Sequence, residues 1–264
     1  MANSTAATQH EAPIFVTGMP RSGTTFVQHL LCAHPSITIH GQEPARFSWG
    51  DLLKAAVQGV GDAASSNAQL NYDAPHYASP SEPAEVAYRM LDFVKWYLTG
   101  GRSDRRWGSK SLTQCRVAAD VISECWPATR WIVCIRDPFR SVESLRNTYD
   151  RGQQIEIETL TQWWTDAAGF AHENTAAMPV VFDRLEDTVI RMGFVEQLFE
   201  FVGEPATEET LSFAQEWPVI HKVTEDQHRE YCLSTHEREQ MLDCPDFSMW
   251  VERLGYESKE AVAS

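Results

Sequence analysis

The chain has 264 residues, of which 43% are hydrophobic and 22% are charged, a composition typical of one large globular domain or two small ones. It carries 22 lysines and arginines against 37 aspartates and glutamates, which gives a formal net charge of −15. Such an acidic chain argues against nucleic acid or an anionic membrane as the main partner.

The cysteine and histidine spacings and the lengths of the apolar runs argue against a metalloprotein and a membrane-spanning protein. The six cysteines and nine histidines include no CxxC, HxxxH or HExxH spacing, so we expect no metal site and reduced cysteines, as in a cytoplasmic protein. The longest apolar runs are strand-sized, which predicts no membrane span. We expect a disordered tail over 1–12, a single domain over 13–257 and a C-terminal tail over 258–264.

The first predicted elements are a strand at 14–17, a loop at 18–25 and a helix that begins near Phe26. The loop reads GMPRSGTT. A glycine-rich turn before a helix presents unpaired backbone N–H groups and the positive end of the helix dipole, which together suit a phosphate. The alternative is a turn with a purely structural role.

The spacing of this loop nearly matches the P-loop pattern, GxxxxGK followed by Ser or Thr. Gly18 and Gly23 stand at the two glycine positions, but Thr24 occupies the position of the lysine. A basic residue, Arg21, stands earlier in the loop instead. We therefore expect a phosphate-containing ligand that lacks the usual triphosphate.

The rest of the chain alternates between strand-like apolar runs and helical spacing. In chain order the pattern predicts a strand at 36–40, a helix at 45–58, a helix at 81–98, a strand at 106–110, a helix with Val117, Val121, Ile122 and Cys125 on one face, a strand at 130–135, a helix that begins at Pro138 with Asp137 as its N-cap, a helix at 159–176, a strand at 180–182, a helix at 188–203 and a mainly helical C-terminal quarter. This alternation predicts an α/β fold of the three-layer P-loop type, with a central parallel sheet and helices on both faces. Residues 59–80 lack periodicity and are expected to be a lid over the acceptor or a disordered segment.

Four charged residues follow predicted strands at the edge of the sheet where ligands of parallel sheets bind: Arg21, Glu43, Lys110 and Arg136. On the helix that follows Arg136, Val142 and Leu145 share a stripe that would pack on the sheet. Ser141, Ser144 and Thr148 share another stripe. Ser144 would then face the same cleft as Arg136, and such a pair suits a second phosphate. The alternative is a surface pair between Arg136 and Asp137 with an ordinary helix cap.

These motifs resemble those of sulfotransferases that use 3′-phosphoadenosine-5′-phosphosulfate (PAPS). Residues 20–25, PRSGTT, resemble the 5′-phosphosulfate loop of that family, and Arg136 with Ser144 has the spacing of its 3′-phosphate site. The stretch 18–43 is closest to the bacterial and tyrosylprotein branches. The resemblance continues through WGSK at 107–110, RDP at 136–138 and VVFDRLEDT at 180–188, so it covers most of the chain.

The resemblance implies a role for each candidate residue. Arg21 would hold the 5′-phosphosulfate together with the amides of the loop, which belong to Ser22, Gly23, Thr24 and Thr25. Arg136 and Ser144 would hold the 3′-phosphate. Glu43 would be the catalytic base that accepts the proton of a hydroxyl acceptor, and Lys110 with Arg21 would stabilise the transferred group and the leaving nucleotide. No metal would be required.

Departures from the family pattern leave the acceptor open among small molecules, sugars and peptides. Gln42 replaces the first glutamate of the GEE segment, Thr148 stands where tyrosylprotein enzymes have a further arginine, and 182–184 replace a Tyr-Glu-Asp motif. The dimerisation signature of the cytosolic branch, KxxxTVxxxE, is not found, so the sequence leaves the oligomeric state open.

Other functions and other roles stay open at this point. A magnesium-dependent P-loop kinase and a non-catalytic nucleotide-binding module would both use such a loop. Glu43 has the alternative role of a helix-leading acid, and Lys110 that of a surface lysine. A nucleophilic Ser22 is disfavoured, and Lys222 is a weaker candidate for a donor contact. The two adjacent tryptophans at 163 and 164 are expected to pack rather than to stack on adenine.

Overall fold

Five parallel strands form one sheet in the computed structural model of the chain, which describes residues 12–41, 83–101, 105–111, 118–148, 155–182, 192–220 and 232–256, and the isolated positions 55 and 58. The strands are β1 (Ile14–Gly18), β2 (Ile37–His40), β3 (Arg106–Lys110), β4 (Arg130–Arg136) and β5 (Ala177–Phe182). Their order across the sheet is β2-β3-β1-β4-β5, so the first of the described strands lies at the centre.

Helices connect and cover the strands. In the described ranges they are α1 (Thr24–Cys32), α2 (Pro83–Thr99), α3 (Ala119–Cys125), α4 (Pro138–Thr148), α5 (Ile157–Glu173), α6 (Met192–Val202), α7 (Glu208–Ile220), α8 (Thr235–Leu242) and α9 (Pro245–Arg253). None of these helices is long and apolar enough to span a bilayer.

The apolar residues of the inner strands alternate between two packed layers. Ile14 and Val16 of β1 pack with residues of α1, α6 and α7, whereas Phe15 packs between Trp107 and Trp131 and beneath α2 and α3. Further along the sheet, Val133 and Ile135 of β4 pack against α4, α5, α8 and α9, whereas Ile132 and Cys134 point to the layer of α1. The prediction of a parallel sheet with helices on both faces is therefore confirmed.

Most of the predicted elements lie within a few residues of the observed ones. The strongly apolar strand at 130–135 is an inner strand, and residues 131–135 are buried as expected for a strand covered on both faces. Asp137 caps α4, because its Oδ1 accepts a hydrogen bond of 2.9 Å from the amide of Arg140.

The boundary between α5 and β5 is where the sequence-based prediction was wrong. The helix ends at Glu173 and not at 176, because the side chain of Asn174 accepts a hydrogen bond of 2.9 Å from the amide of Ala176 and forms a turn. The strand begins at Ala177, where it pairs with Trp131 of β4, three residues earlier than predicted.

Several predictions lie outside the described residues. They include the tail before residue 12, the acceptor lid at 59–80 and the tail after 257. Of the helix predicted at 45–58, the structure describes positions 55 and 58, and both are helical.

Candidate active site

The loop after β1 is shaped by close backbone contacts at the centre of the sheet. Gly18 has a φ of 146°, and a Cβ there would lie 2.3 Å from the carbonyl oxygen of Cys134 on the neighbouring strand. The buried hydroxyl of Ser22 donates a hydrogen bond of 2.7 Å to the carbonyl oxygen of Met19, and the amide of Ser22 donates one of 3.2 Å to the same atom. Ser22 is therefore engaged within the loop, and its contact with an anion stays a prediction.

The loop connects β1 to α1, so the N-terminus of α1 lies at the carboxyl edge of the sheet. Arg21 has a φ of 72° and Gly23, the N-cap residue, a φ of 95°, so both adopt the left-handed conformation. Gly23 provides no side-chain cap, and the first turn contains no acidic residue. Since the amides of Thr24 and Thr25 have no intrahelical acceptor at this position, they and the helix dipole favour an anion here.

A buried lysine reaches the same helix turn from the neighbouring strand. Lys110 is the last residue of β3 and is 7% exposed, and its Nζ donates a hydrogen bond of 3.1 Å to Oγ1 of Thr25. Burial lowers the pKa of the Lys110 ammonium, and the nearby Cys134 opposes that shift. The lysine thus brings a cation to the first turn of α1, and this cation comes from β3 and not from the loop.

The residues predicted for the second anion site meet the loop through Arg21. The Nε of Arg21 donates a hydrogen bond of 3.1 Å to Oγ of Ser144, and Nη1 of Arg136 donates one of 3.3 Å to the carbonyl oxygen of Arg21. The indole N–H of Trp164 donates one of 2.8 Å to the carbonyl oxygen of Arg136. The two predicted pockets are therefore adjacent, and the Arg21 side chain extends towards the Ser144 side.

The stripes predicted on α4 are partly as expected. Val142 and Leu145 are buried in the core. Ser144 is half-buried, whereas Ser141 is fully buried and does not share the accessible position of Ser144. The helix packs more deeply than its pattern of hydroxyl residues indicates, because core residues surround it on more than one side.

The C-terminal segment holds α4 in place through an ionic network that the sequence did not reveal. Glu143 pairs with Arg238 at 3.2 Å and accepts a hydrogen bond of 3.2 Å from the amide of Leu233. Arg146 pairs with Glu237 at 2.8 Å. The one local signal was the capping box of α8, formed by Ser234 and Glu237, which predicts a helix start but not its partners. Glu143 and Arg146, which flank Ser144 on α4, are thereby joined to α8.

Other candidate residues fall into two groups. Glu43, Gln42, Lys222 and the side chain of Thr148 lie outside what the structure describes. Trp164 is 1% exposed and Trp163 is partly buried against the same cluster, so both pack as predicted. Among the described residues there is no group of three or more His, Cys, Asp or Glu side chains that could hold a metal ion.

The comparisons with known proteins agree with this fold. Residues 13–208 match the model of the sulfotransferase family, so the chain belongs to that family, whose members transfer sulfuryl groups. No curated protein sequence matches the chain.

Solved sulfotransferase structures share the fold at low sequence identity. Sulfotransferase STF9 from Mycobacterium avium has a TM-score of 0.53 and 18% identity, with 94% of this chain and 78% of that one covered. The sulfotransferase domain of the Synechococcus PCC 7002 olefin synthase has a TM-score of 0.51 and 16% identity, with 94% of this chain and 97% of that one covered. Mouse sulfotransferase SULT7A1, solved as a complex with PAP, has a TM-score of 0.51 and 10% identity, with 96% of this chain and 86% of that one covered.

Proposed function

We propose that the protein transfers a sulfuryl group from PAPS to a hydroxyl acceptor by in-line displacement. The observation that carries the proposal is the meeting of Arg21, Lys110 and Arg136 around the N-terminus of α1 in a chain of the sulfotransferase family. Three cations at one sheet edge of a chain with a net charge of −15 support a local anion site there. The fold neighbour solved with PAP supports a nucleotide of this kind.

The described groups fit a nucleotide with an anionic group at each end. The first-turn amides of α1, the Lys110 ammonium and the Thr25 hydroxyl would contact the 5′-phosphosulfate. Arg136 and Ser144 would contact the 3′-phosphate. Arg21 belongs to the loop before α1 and donates a hydrogen bond to Ser144, so its side chain would connect the two anion sites.

Catalysis would then depend on position and electrostatics. PAPS supplies a sulfuryl group on a phosphate leaving group. As the S–O bond to the acceptor oxygen forms and the S–O bond to the phosphate breaks, negative charge grows on the phosphate oxygen, where Lys110 and Arg21 would stabilise it. The acceptor hydroxyl must lose its proton, and Glu43 is the proposed base.

A P-loop kinase is the main alternative, and it requires magnesium. Turnover in excess chelator distinguishes the two enzymes. Sulfuryl transfer should proceed unchanged, whereas abolished turnover would favour the kinase.

Calorimetry tests the two anion pockets directly. Adenosine 3′,5′-bisphosphate should bind more tightly than AMP by about 10-fold to 100-fold, because the 3′-phosphate adds charge-assisted hydrogen bonds. R136A should remove most of that preference, and the remote variant R253A should keep it. Equal affinity for the two nucleotides in the wild type would reject the proposal.

Activity separates an enzyme from a non-catalytic nucleotide-binding module. A screen of labelled-sulfate transfer to sugars, phenols, lipids and peptides should identify an acceptor. E43Q should then bind adenosine 3′,5′-bisphosphate normally and lose turnover by about 100-fold or more. Undiminished turnover in this variant would eliminate Glu43 as the base.

A further inference from the structure

One face of α2 exposes a cluster of aromatic side chains that no described element covers. Tyr88, Phe93, Trp96 and Tyr97 are 48%, 60%, 61% and 65% exposed. Phe93 stacks on both Trp96 and Tyr97, with ring centroids 6.1 Å and 6.4 Å apart. The opposite face of the helix packs on the core through Ala87 and Leu91. Four exposed rings on one helix face indicate an interaction surface.

Charged residues of both signs alternate along the same face. Glu85, Arg89 and Asp92 are exposed and occupy successive turns, with Trp96 one turn further on. Glu85 and Arg89 are 3.8 Å apart, with side chains that are 57% and 74% exposed, so this pair stays available to a partner. An antiparallel copy of the helix would present the same charges in reverse order.

We propose that a second copy of this chain docks on this face, with the two α2 helices antiparallel across a twofold axis near residues 90 and 91. This register places Arg89 opposite Asp92 of the partner subunit, and the symmetry makes the contact twice. Tyr88 then faces Phe93 of the partner subunit. A parallel arrangement would place each charged residue opposite its own copy, and like charges across an interface are unfavourable.

The surroundings of the face favour a second copy over a membrane. The net charge of −15 repels anionic lipid, and carboxylates stand among the rings. With about 200 Å² per aromatic side chain, the four rings expose on the order of 450 Å² per copy. Flanking side chains bring the pair near the ~1,200 Å² at which specific interfaces begin. We therefore expect a weak dimer with a Kd in the micromolar range.

The position of the face leaves the candidate active site open. Because β2 and β3 are parallel, the chain between them returns from the carboxyl edge of the sheet to its amino edge, and α2 ends at Thr99, seven residues before β3 begins at that amino edge. Phe93, Trp96 and Tyr97 belong to the second half of α2, away from the loop after β1. The dimer would thus form independently of donor binding, and the inference does not rest on the proposed function.

Sedimentation velocity of the full chain from about 1 to 200 μM tests the dimer, because mass action makes its population depend on concentration. Wild type should pass from monomer to dimer in this range. R89D and D92R should each weaken association by at least about tenfold, since each places like charges opposite one another twice. The double variant R89D/D92R should restore the wild-type Kd. W96A should also weaken association.

The two single variants change the net charge in opposite directions, so a general charge effect cannot weaken association in both. Circular dichroism should show an unchanged fold in every variant, because the substituted side chains are exposed. A wild-type monomer throughout the range, a dimer indifferent to R89D, or no recovery in the double variant would each overturn the proposal. So would binding of the wild type to phosphatidylcholine vesicles that W96A abolishes.

Discussion

Lys110 combines a cost in stability with a proposed role in catalysis. It is buried at the end of β3, and the described contact of its ammonium is the hydroxyl of Thr25. Burial lowers its pKa from the ordinary value of 10.5, which means that the charged form is less favourable in the folded chain than in the unfolded one. A methionine of similar length would fill the same space without the charge.

K110M should therefore lose sulfuryl transfer and keep or gain stability. We expect a rate loss of about 100-fold or more, equivalent to ~2.7–4 kcal/mol of transition-state stabilisation, with a Tm at or above that of the wild type. Between the lowered pKa and 10.5 the unfolded state binds more protons, so wild-type stability should rise with pH across that interval and approach that of K110M. Urea titrations at several pH values measure this. A variant that is both inactive and less stable at neutral pH would contradict the argument.

Residues of the candidate site could be proposed from the sequence where their chemistry is local to a motif. Arg21, Lys110, Arg136 and Ser144 were all singled out in the sequence, and the structure brings them together. The hydrogen bond between Arg21 and Ser144 was not foreseen, because it joins residues 123 positions apart. No spacing rule in a single sequence states which side chains meet over such a distance.

At the scale of elements, the turn from β1 into α1 depends on the missing side chain of Gly18. G18A should destabilise the chain by about 3 kcal/mol, because a Cβ would overlap the Cys134 carbonyl and the φ of 146° is strained for any other residue. G193A is the matched control: a Cβ there meets open space, and alanine suits α6. Chemical denaturation measures both. Equal stability of the two variants would contradict the tight contact seen at Gly18.

The ionic network between α4 and α8 is a second feature at this scale. E143Q should cost about 2 kcal/mol, because it leaves Arg238 without its carboxylate in a partly buried site. The control E85Q, in an exposed pair, should change stability by less than about 0.5 kcal/mol. E143Q should also weaken binding of adenosine 3′,5′-bisphosphate, since Ser144 is on the same helix. Unaltered stability would show that the network does not hold α4.

Element boundaries were predictable to the extent that local side chains set them. The Asp137 cap and the start of α4 follow from two adjacent residues, Asp and Pro. The network from Glu143 and Arg146 to α8 was not predictable, because its partners lie about 90 residues away. The end of α5 was missed because the turn at Asn174 resembles a continuing helix in a periodicity argument.

At the scale of the whole molecule, the core extends past the segment that matches the family. The match ends at residue 208, yet Phe247 of α9 is fully buried and makes edge-to-face contacts with Phe139 and Trp164. The described helices α8 and α9 are therefore part of the same packed unit. The sequence predicted these helices but not what they cover.

F247A should cost about 3–5 kcal/mol, because it opens a cavity between α4, α5 and α9. M249A, on the same helix and 47% exposed, should change stability by less than about 0.5 kcal/mol. Thermal and urea unfolding of the two variants measure the difference. Similar stability for both would mean that α9 contributes little to the fold.

The layered architecture followed from the alternation of strands and helices, but the order of the strands did not. Periodicity gives the type of each element and the number of layers. Which strand lies beside which depends on packing between segments that are distant in the chain. β1 pairs with β3 and β4, which begin 92 and 116 residues after it, and no local pattern carries that information.

The central place of the first strand has a consequence for how the protein is made. During synthesis IFVTG emerges from the ribosome before the other described strands, and its neighbour at 130–136 follows only after more than a hundred further residues. Until then a nascent segment that is wholly buried in the finished sheet is in contact with water. Such high contact order predicts slow maturation and a need for chaperones that bind the early chain.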